Sequence, residues 1–343
     1  MSTMLREIRQ QPEMIERTIR GESAKLNKLG SFLRDRDVDL IVLAARGSSD
    51  NAAIFGRYLL EIVCGIPVSL CAPSVYTLYK AKLDLKRALV VGISQSGEGT
   101  DVNTVLERAR NFGAFTLGIT NSSGSPITEV CDETLLIHAG KERSVAATKT
   151  YTGQLLHFYL LANALSPNPR IGLEKLPEYA SIALGSESAV KEMAERYAFM
   201  DHCVVVGRGF NYGNSFELAL KLMETCYVVA ERFSTADFRH GPLAVVERRF
   251  PVILFSAKGA TGKTDLEMLG RLKDLNADSL SITNDRSIAR ASSRSVVLDS
   301  GIEELLTPIP LIIPGQLFAA YLSKAKGLDP DAPRSLSKIT RTI

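Results

Sequence analysis

Short apolar runs alternate with longer stretches of helical periodicity along the first half of the chain. The clearest run, Ala88–Ile93, stops at a polar Ser-Gln-Ser-Gly sequence, and a helical pattern opens at Thr100. Further apolar runs predict strands at 38–45, 67–70, 114–119 and 134–137. Helical patterns lie over about 51–63 and 100–111, and another ends near residue 165. Strands that alternate with helices in this way indicate βαβ units and a parallel sheet.

The second half of the chain repeats this pattern. Four stretches recur in the same order: 39–47 as 201–209, 88–94 as 251–256, 100–101 as 264–265, and 118–121 as 281–284. The distance between the copies far exceeds the period of about 20–50 residues that is typical of solenoid repeats. We therefore predict two tandem copies of one α/β domain.

The predicted organisation has five parts. Pro167 and Pro169 lie close together and mark a boundary between the two halves. The Pro/Asp-rich stretch 329–333 is predicted to form neither helix nor strand, and a terminal segment without its own core is normally disordered. The parts are N-terminal helices (1–34, the second helix starting at Pro12), a first α/β domain (35–166), a linker and one long crossing helix (167–198, helix over 177–197), a second α/β domain (199–327) and a C-terminal tail (328–343).

Composition and charge exclude several classes of function. The 41 basic and 38 acidic residues give a net charge of +3, which is too balanced to indicate a nucleic-acid or membrane partner. Five cysteines without C-x-x-C spacing indicate buried free thiols in a reducing compartment. The N-terminus has no apolar signal segment, and the apolar region 307–322 is interrupted by prolines. We therefore expect a cytoplasmic protein.

The loop after Ala88–Ile93 is the first candidate site. A helix N-terminus offers unpaired N–H groups and a partial positive charge, which suit an anion. The hydroxyls of Ser94, Ser96 and Thr100 can add hydrogen-bond donors. The alternative is an ordinary strand–turn–helix corner in which Thr100 is the N-cap, and the loop alone does not decide between them.

A second candidate site lies in the second half of the chain. Glu217, Lys221 and Glu224 are spaced so that they share one helix face. Such a row is more often a solvated face with weak ion pairs than a catalytic group. His240 follows shortly before a Gly-Pro turn, and a lone histidine is more often structural. Beside a carboxylate, however, it becomes a candidate general acid or base.

The motifs together resemble one known family. The chain resembles tandem SIS (sugar isomerase) domains, and above all the isomerase half of glutamine–fructose-6-phosphate aminotransferase and SIS-type glucosamine-6-phosphate deaminases. The resemblance implies an α/β fold of two flavodoxin-like, parallel-sheet αβα sandwiches. The stretches that carry it are Arg46-Gly47-Ser48-Ser49, Ser94-Gln95-Ser96-Gly97-Glu98, Ile119-Thr120-Asn121, Val145-Ala146-Ala147-Thr148-Lys149, Glu217 to Glu224, His240-Gly241-Pro242 and Pro333-Arg334-Ser335-Leu336-Ser337-Lys338.

The resemblance also implies roles for individual residues. Glu224 matches the carboxylate that moves a proton between C1 and C2 of the sugar, with Lys221 and Glu217 beside it. His240 matches the ring-opening histidine, which in the family comes from the partner subunit of a homodimer, and Lys338 matches a lysine that engages the open-chain sugar. The residues expected to bind the phosphosugar are Gly47, Ser48, Ser49, Ser94, Gln95, Ser96, Thr100, Val145 and Ala147.

The chain also departs from the family pattern. Gly99 replaces a threonine, Ala147 a serine and Met223 a lysine, which affects the contacts to the sugar. The sequence opens directly on helices, without the glutaminase domain of the synthase. We therefore expect the enzyme to convert glucosamine 6-phosphate to fructose 6-phosphate and ammonia, with no cofactor or metal. The alternatives are a galactosamine-6-phosphate deaminase, a fructosamine-phosphate deglycase and, in another class, a non-catalytic phosphosugar sensor.

Overall fold

The computed structural model describes residues 2–166, 171–298 and 301–338, which fall into two compact units. The N-terminal unit comprises residues 13–142, 149–174 and the chain from 337 onward. The C-terminal unit comprises the chain up to residue 12, residues 143–148 and residues 175–336. Each unit is built around one parallel sheet of five strands.

The sheet of the N-terminal unit has the strand order β2-β1-β3-β4-β5. Its strands are β1 (Leu40–Ala44), β2 (Val68–Leu70), β3 (Ala88–Ile93), β4 (Phe115–Thr120) and β5 (Glu133–Leu136). The first helices of the chain are α1 (Thr3–Ile8), α2 (Gln11–Asp35), α3 (Ser48–Cys64), α4 (Pro73–Thr77), α5 (Thr100–Asn111), α6 (Ile127–Val130) and α7 (Lys149–Leu165). All pairings in this sheet are parallel, because helices connect its strands.

The sheet of the C-terminal unit repeats this order as β7-β6-β8-β9-β10. Its strands are β6 (His202–Gly207), β7 (Val229–Ser234), β8 (Pro251–Ser256), β9 (Asp278–Thr283) and β10 (Arg294–Val297). The remaining helices are α8 (Leu176–Leu184), α9 (Glu187–Arg196), α10 (Tyr212–Cys226), α11 (Thr235–Phe238), α12 (Gly262–Asp274), α13 (Arg286–Ala291) and α14 (Pro308–Ala325). The predicted α/β class with two copies of one parallel-sheet fold is therefore confirmed.

The strand order creates a crevice at a defined place in each sheet. In the N-terminal sheet, the chain leaves β1 for β2 on one side and leaves β3 for β4 on the other side. The two strands β1 and β3 are neighbours, and Ala44 pairs with Gly92 near their carboxyl ends. In open α/β sheets, ligands bind at this reversal point, beyond the carboxyl ends of the strands. The loops after β1 and β3 thus lie where a ligand is expected.

Helices cover the sheets with apolar faces of helical spacing. In the N-terminal unit, Val105 and Leu106 of α5 pack with Val90 of β3. In the C-terminal unit, Met268 and Leu272 of α12 take the corresponding place in the core. Burial of these faces, at roughly 25 cal/mol per Å² of apolar surface, fixes each helix against its strand.

One predicted element of the C-terminal unit differs in the structure, and two further elements were not assigned from the sequence. The predicted helix over 177–197 is two helices, α8 and α9, because the chain turns at Gly185, whose N–H bonds to carbonyls of the preceding turn. Strand β7 was missed, since its mixed polar sequence shows no apolar run. The proline-interrupted region 307–322 is the buried helix α14, which packs against α8, α9 and α10. Pro308 opens α14, where its missing N–H costs nothing.

None of the helices in the described part of the chain is long and apolar enough to cross a membrane. The five cysteines are free thiols, of which Cys131, Cys203 and Cys226 are buried. Burial raises the pKa of Cys64 to about 11 and of Cys226 to about 11. These thiols therefore stay protonated near neutral pH and are poor nucleophiles.

The core assignment predicts a large loss of stability on truncation of Leu106. Its side chain is fully buried and fills the space above Gly92, where a Cβ would come within 2.5 Å of Leu106 Cδ1. Leu106→Ala should lower the free energy of unfolding by about 2–5 kcal/mol, measured by urea denaturation. Leu78→Ala, at a position that is 61% exposed, is the control and should change it by at most about 0.5 kcal/mol. Equal losses in the two variants would contradict the assignment.

Candidate active site

The loop between β3 and α5 is a tight turn that only glycine can close. Gly97 has φ +70°, and a Cβ there would lie 2.0 Å from Ser125 Oγ. The carbonyl of Gly97 accepts hydrogen bonds from Ile127 N and from Asn103 Nδ2. The backbone of this loop is therefore held in place by side chains and main chain of its own unit.

The predicted phosphate-binding hydroxyls line this loop. Ser94 Oγ accepts a hydrogen bond of 3.1 Å from Gly97 N, and Ser96 Oγ accepts one of 3.2 Å from Glu98 N. Each hydroxyl keeps its own proton, so both can donate to an anion. Gln95 lies between them, and its carbonyl accepts from Asn121 N. Thr100 is exposed and is the first residue of α5. The N-cap of α5 is Gly99, which makes no side-chain cap bond, so the alternative prediction that Thr100 is the N-cap is wrong.

The loop after β1 brings a second set of predicted residues to the same edge of the sheet. Gly47 has φ +56° and precedes α3, which begins at Ser48. Ser49 is buried, and its Oγ accepts a hydrogen bond of 2.9 Å from Gln154 Nε2 on α7. The sequence prediction missed Gln154, although a polar residue within the strongly apolar helix α7 was a signal.

An ion pair ties the two loops together. Arg46 Nε lies 2.6 Å from Asp101 Oδ2, and Asp101 is almost fully buried in the first turn of α5. Asp101 also accepts from Val102 N. The pair therefore fixes the loop that carries Ser49 relative to the loop that carries Ser94 and Ser96.

The acidic and basic row on α10 is largely buried, unlike an ordinary solvated face. The side chains of Glu217 and Lys221 are 0% and 1% exposed, whereas that of Glu224 is 20% exposed. Lys221 Nζ lies 3.4 Å from Glu217 Oε1 and 2.6 Å from Glu224 Oε2. Of the three groups, only Glu224 is open to solvent to an appreciable extent.

Lys221 stays charged in this environment. Burial by itself lowers the pKa of a lysine, but the charges of Glu217 and Glu224 outweigh it and raise the pKa of Lys221 above its usual value. The hydrogen bond from Lys221 also fixes the orientation of the Glu224 carboxylate.

The other predicted residues of the C-terminal unit lie on its loops. His240 is exposed just after α11, and no hydrogen bond or ion pair joins it to Glu224 within the described residues. Val145 and Ala147 are half-buried in the segment 143–148. The structure therefore does not bring His240 into bonding contact with the buried row of its own chain.

The predicted lysine of the tail makes a specific ion pair within the N-terminal unit. Lys338 Nζ lies 2.7 Å from Glu142 Oε2, and the Glu142 side chain is fully buried. Glu142 also accepts from the backbone N and the hydroxyl of Thr150. The tail forms neither helix nor strand up to Lys338, as predicted, and this ion pair holds its last described residue. Glu142 was missed because it lies far from Lys338 in sequence and carries no spacing signal.

Metal ligands do not cluster in the described residues: no group of three His, Cys, Asp or Glu side chains there is placed to hold an ion.

Comparison with known families decides the classification. The family model described as SIS domain matches residues 33–164 and 199–323. The chain belongs to the SIS domain family. Both matches cover one parallel sheet each, so the two units carry the two SIS folds.

Individual SIS relatives extend this comparison. Glutamine–fructose-6-phosphate aminotransferase (isomerizing) of Pyrococcus horikoshii is 36% identical over 98% of this chain, which spans 57% of that protein's length. The C-terminal domain of glucosamine-fructose-6-phosphate aminotransferase from Francisella tularensis has a TM-score of 0.89 at 25% identity, covering 96% of this chain and 98% of that one. Glucosamine-6-phosphate deaminase from Thermotoga maritima has a TM-score of 0.82 at 23% identity, covering 99% and 100%, and shows the shared SIS fold.

The burial of the row on α10 predicts that Lys221 is essential to the stability of the fold. Lys221→Ala would leave Glu217 as a buried charge without its ammonium partner. We expect a loss of about 3–5 kcal/mol in the free energy of unfolding, measured by urea denaturation. The control is Lys191→Ala, which removes an exposed lysine that pairs with Glu195 four residues later. It should lower the free energy of unfolding by at most about 0.5 kcal/mol. A small effect at Lys221 would mean that the row is solvated.

Proposed function

We propose that this protein interconverts an aminosugar 6-phosphate and the corresponding ketose 6-phosphate, releasing ammonia from glucosamine 6-phosphate. The observation that carries the proposal is the buried row on α10, in which Lys221 holds Glu224 and only Glu224 is partly exposed. A carboxylate that is fixed by a buried cation and still reachable suits a base that acts on a bound substrate.

The chemistry requires one base and no net change in oxidation state. In the open-chain sugar, Glu224 removes the proton from C2, and the electrons form a C1–C2 double bond as the aldehyde oxygen takes up a proton. Return of a proton to C1 gives an imine at C2. Water adds to this carbon and ammonia leaves, which gives fructose 6-phosphate. Because one carbon is reduced while its neighbour is oxidised, no redox cofactor enters the balance.

The loops after β1 and β3 are proposed to bind the phosphate. Ser94 and Ser96 would donate their hydroxyl protons, and the N-terminus of α5 would supply backbone N–H groups and its positive dipole. Hydrogen bonds to a charged group typically contribute about 1.5–3 kcal/mol each. An anchor at the phosphate end restricts the orientation of the reacting carbons.

His240 and Lys338 are proposed to act before the proton transfer. His240 would open the sugar ring, and Lys338 would engage the open-chain carbonyl. Because His240 is exposed and makes no bond to Glu224 of its own chain, we propose that it acts in the site of a partner subunit in a homodimer.

The preference for an amino sugar rests on the relatives. The Pyrococcus horikoshii protein, named glutamine–fructose-6-phosphate aminotransferase (isomerizing), is 36% identical to this chain over the 57% of its length that this chain spans. The sugar half of such a reaction joins ammonia to a ketose phosphate and isomerises the product. The same base can therefore catalyse the reverse reaction, which converts the aminosugar phosphate to the ketose phosphate and free ammonia.

The reaction itself is the first test. Purified protein with EDTA and glucosamine 6-phosphate should yield ammonia and fructose 6-phosphate in equal amounts, measured by coupled assays. Glu224→Gln should lower kcat by at least about 10²–10⁴, the usual contribution of a general base. Exposed Glu192→Gln on α9 is the matched control and should retain full activity.

Other outcomes of this assay would overturn the proposal. Equal turnover of unphosphorylated glucosamine would contradict the phosphate anchor. Ammonia from galactosamine 6-phosphate alone would change the substrate, and ammonia only from fructosamine phosphates would favour a deglycase. Full activity of Glu224→Gln would remove the proposed base.

Mixing two inactive variants tests the shared site. Glu224→Gln and His240→Ala should each be inactive alone. After subunit exchange, a mixed dimer would contain one site with both residues intact, because each is supplied by a different chain. Ammonia release should then recover, up to about a quarter of the wild-type rate for random mixing. No recovery, with exchange verified by mass spectrometry of tagged chains, would show that His240 does not act in trans.

A further inference from the structure

A buried glutamate of α1 holds the segment that carries Val145 and Ala147. Glu7 is only 4% exposed, and its two carboxylate oxygens accept from consecutive backbone amides. Oε1 lies 2.6 Å from Arg143 N and Oε2 lies 3.1 Å from Ser144 N. A buried carboxylate that accepts two main-chain N–H groups fixes the path of the backbone at that point.

The opposite end of α1 is held by the C-terminal tail. Asp331 Oδ2 accepts from Thr3 N at 2.5 Å, and Asp331 Oδ1 accepts from Met4 N at 2.8 Å. Both acceptors satisfy amides that the first turn of a helix leaves without an internal partner. The tail therefore docks on α1 seven residues before Lys338, although the two segments are at opposite ends of the sequence.

A third contact fixes the tail beyond Asp331. The backbone N of Arg334 donates to the hydroxyl of Tyr227 at 2.8 Å, and the guanidinium of Arg334 lies 4.4 Å from the centre of the Tyr227 ring. Tyr227 directly follows α10, the helix of Glu224. The tail is thus attached both to α1 and to the end of the helix that carries the proposed base.

We propose that Glu7 and Asp331 are positioning residues for the proposed reaction. The short helix α1 links two segments that the reaction needs, because Glu7 sets the backbone of 143–148 and Asp331 sets the start of the tail that leads to Lys338. This inference rests on the proposed function for its effect on turnover. The attachment of the two segments to α1 can be tested without it.

Activity gives the first readout. Glu7→Gln and Asp331→Asn keep the size of each side chain but replace one acceptor oxygen by an NH₂ group that faces a backbone N–H. Since small displacements of positioning groups can cost up to about 10²-fold in rate, we expect kcat to fall by about 10-fold or more. KM should rise in Glu7→Gln, because Val145 and Ala147 are expected to bind the phosphosugar, and should change by less than about threefold in Asp331→Asn, because the phosphate loop is untouched. Exposed Glu192→Gln and Asp274→Asn are the matched controls.

Limited proteolysis gives a second readout that needs no substrate. Trypsin can cleave after Arg143 in the first attached segment and after Arg334 in the tail. Cleavage should be several-fold faster after Arg143 in Glu7→Gln and after Arg334 in Asp331→Asn, because the open state of each segment becomes more populated. Loss of global stability would instead accelerate cleavage at all sites alike, which peptide mapping by mass spectrometry distinguishes.

The two readouts separate the possible failures. Unchanged kcat and unchanged local cleavage in both variants would overturn the inference. Uniformly faster cleavage with a lowered melting temperature would assign both residues a purely structural role and also overturn it. If the wild-type protein releases no ammonia, the proposed function fails, and local cleavage still decides whether Glu7 and Asp331 hold their segments.

Discussion

The buried ammonium of Lys221 is the constraint on which the site of the C-terminal unit depends. Two carboxylates on one face of α10 would repel each other in a low-dielectric interior, and the cation between them makes their burial possible. The same contact fixes the orientation of Glu224 and leaves it as the partly exposed member. Stability and the proposed chemistry therefore share one group, so that a change at Lys221 affects both.

The parallel sheet supplies the second constraint. Because β1 and β3 are neighbours that lead to opposite faces, their loops meet at one edge, where Arg46 and Asp101 join them. The second sheet repeats this order, but its loop after β8 lacks the paired serines. The duplicated fold thus carries the serine-bearing loop in one copy and the carboxylate row in the other.

Local patterns predicted the elements well, and long-range contacts could not be predicted. Ala88–Ile93 and Thr100–Asn111 have the predicted bounds because an apolar run and helical periodicity are local signals. The spacing of Glu217, Lys221 and Glu224 gave the shared face, but not its burial, which depends on the surrounding helices. The roles of Glu142 and Glu7 could not be predicted from the sequence, because Glu142 pairs with the distant Lys338 and Glu7 accepts hydrogen bonds from distant backbone amides.

The most direct test of this account follows the hydrogen on C2 of the substrate. Glucosamine 6-phosphate deuterated at C2 can be incubated with wild-type protein and with Glu224→Gln, and the sugar product analysed by NMR. If Glu224 transfers the proton, wild-type protein forms fructose 6-phosphate with the deuterium at C1 or lost to solvent, and Glu224→Gln leaves the C2–deuterium bond intact. A deaminated sugar that retains deuterium at C2, or equal cleavage of that bond in the variant, would contradict proton transfer by Glu224.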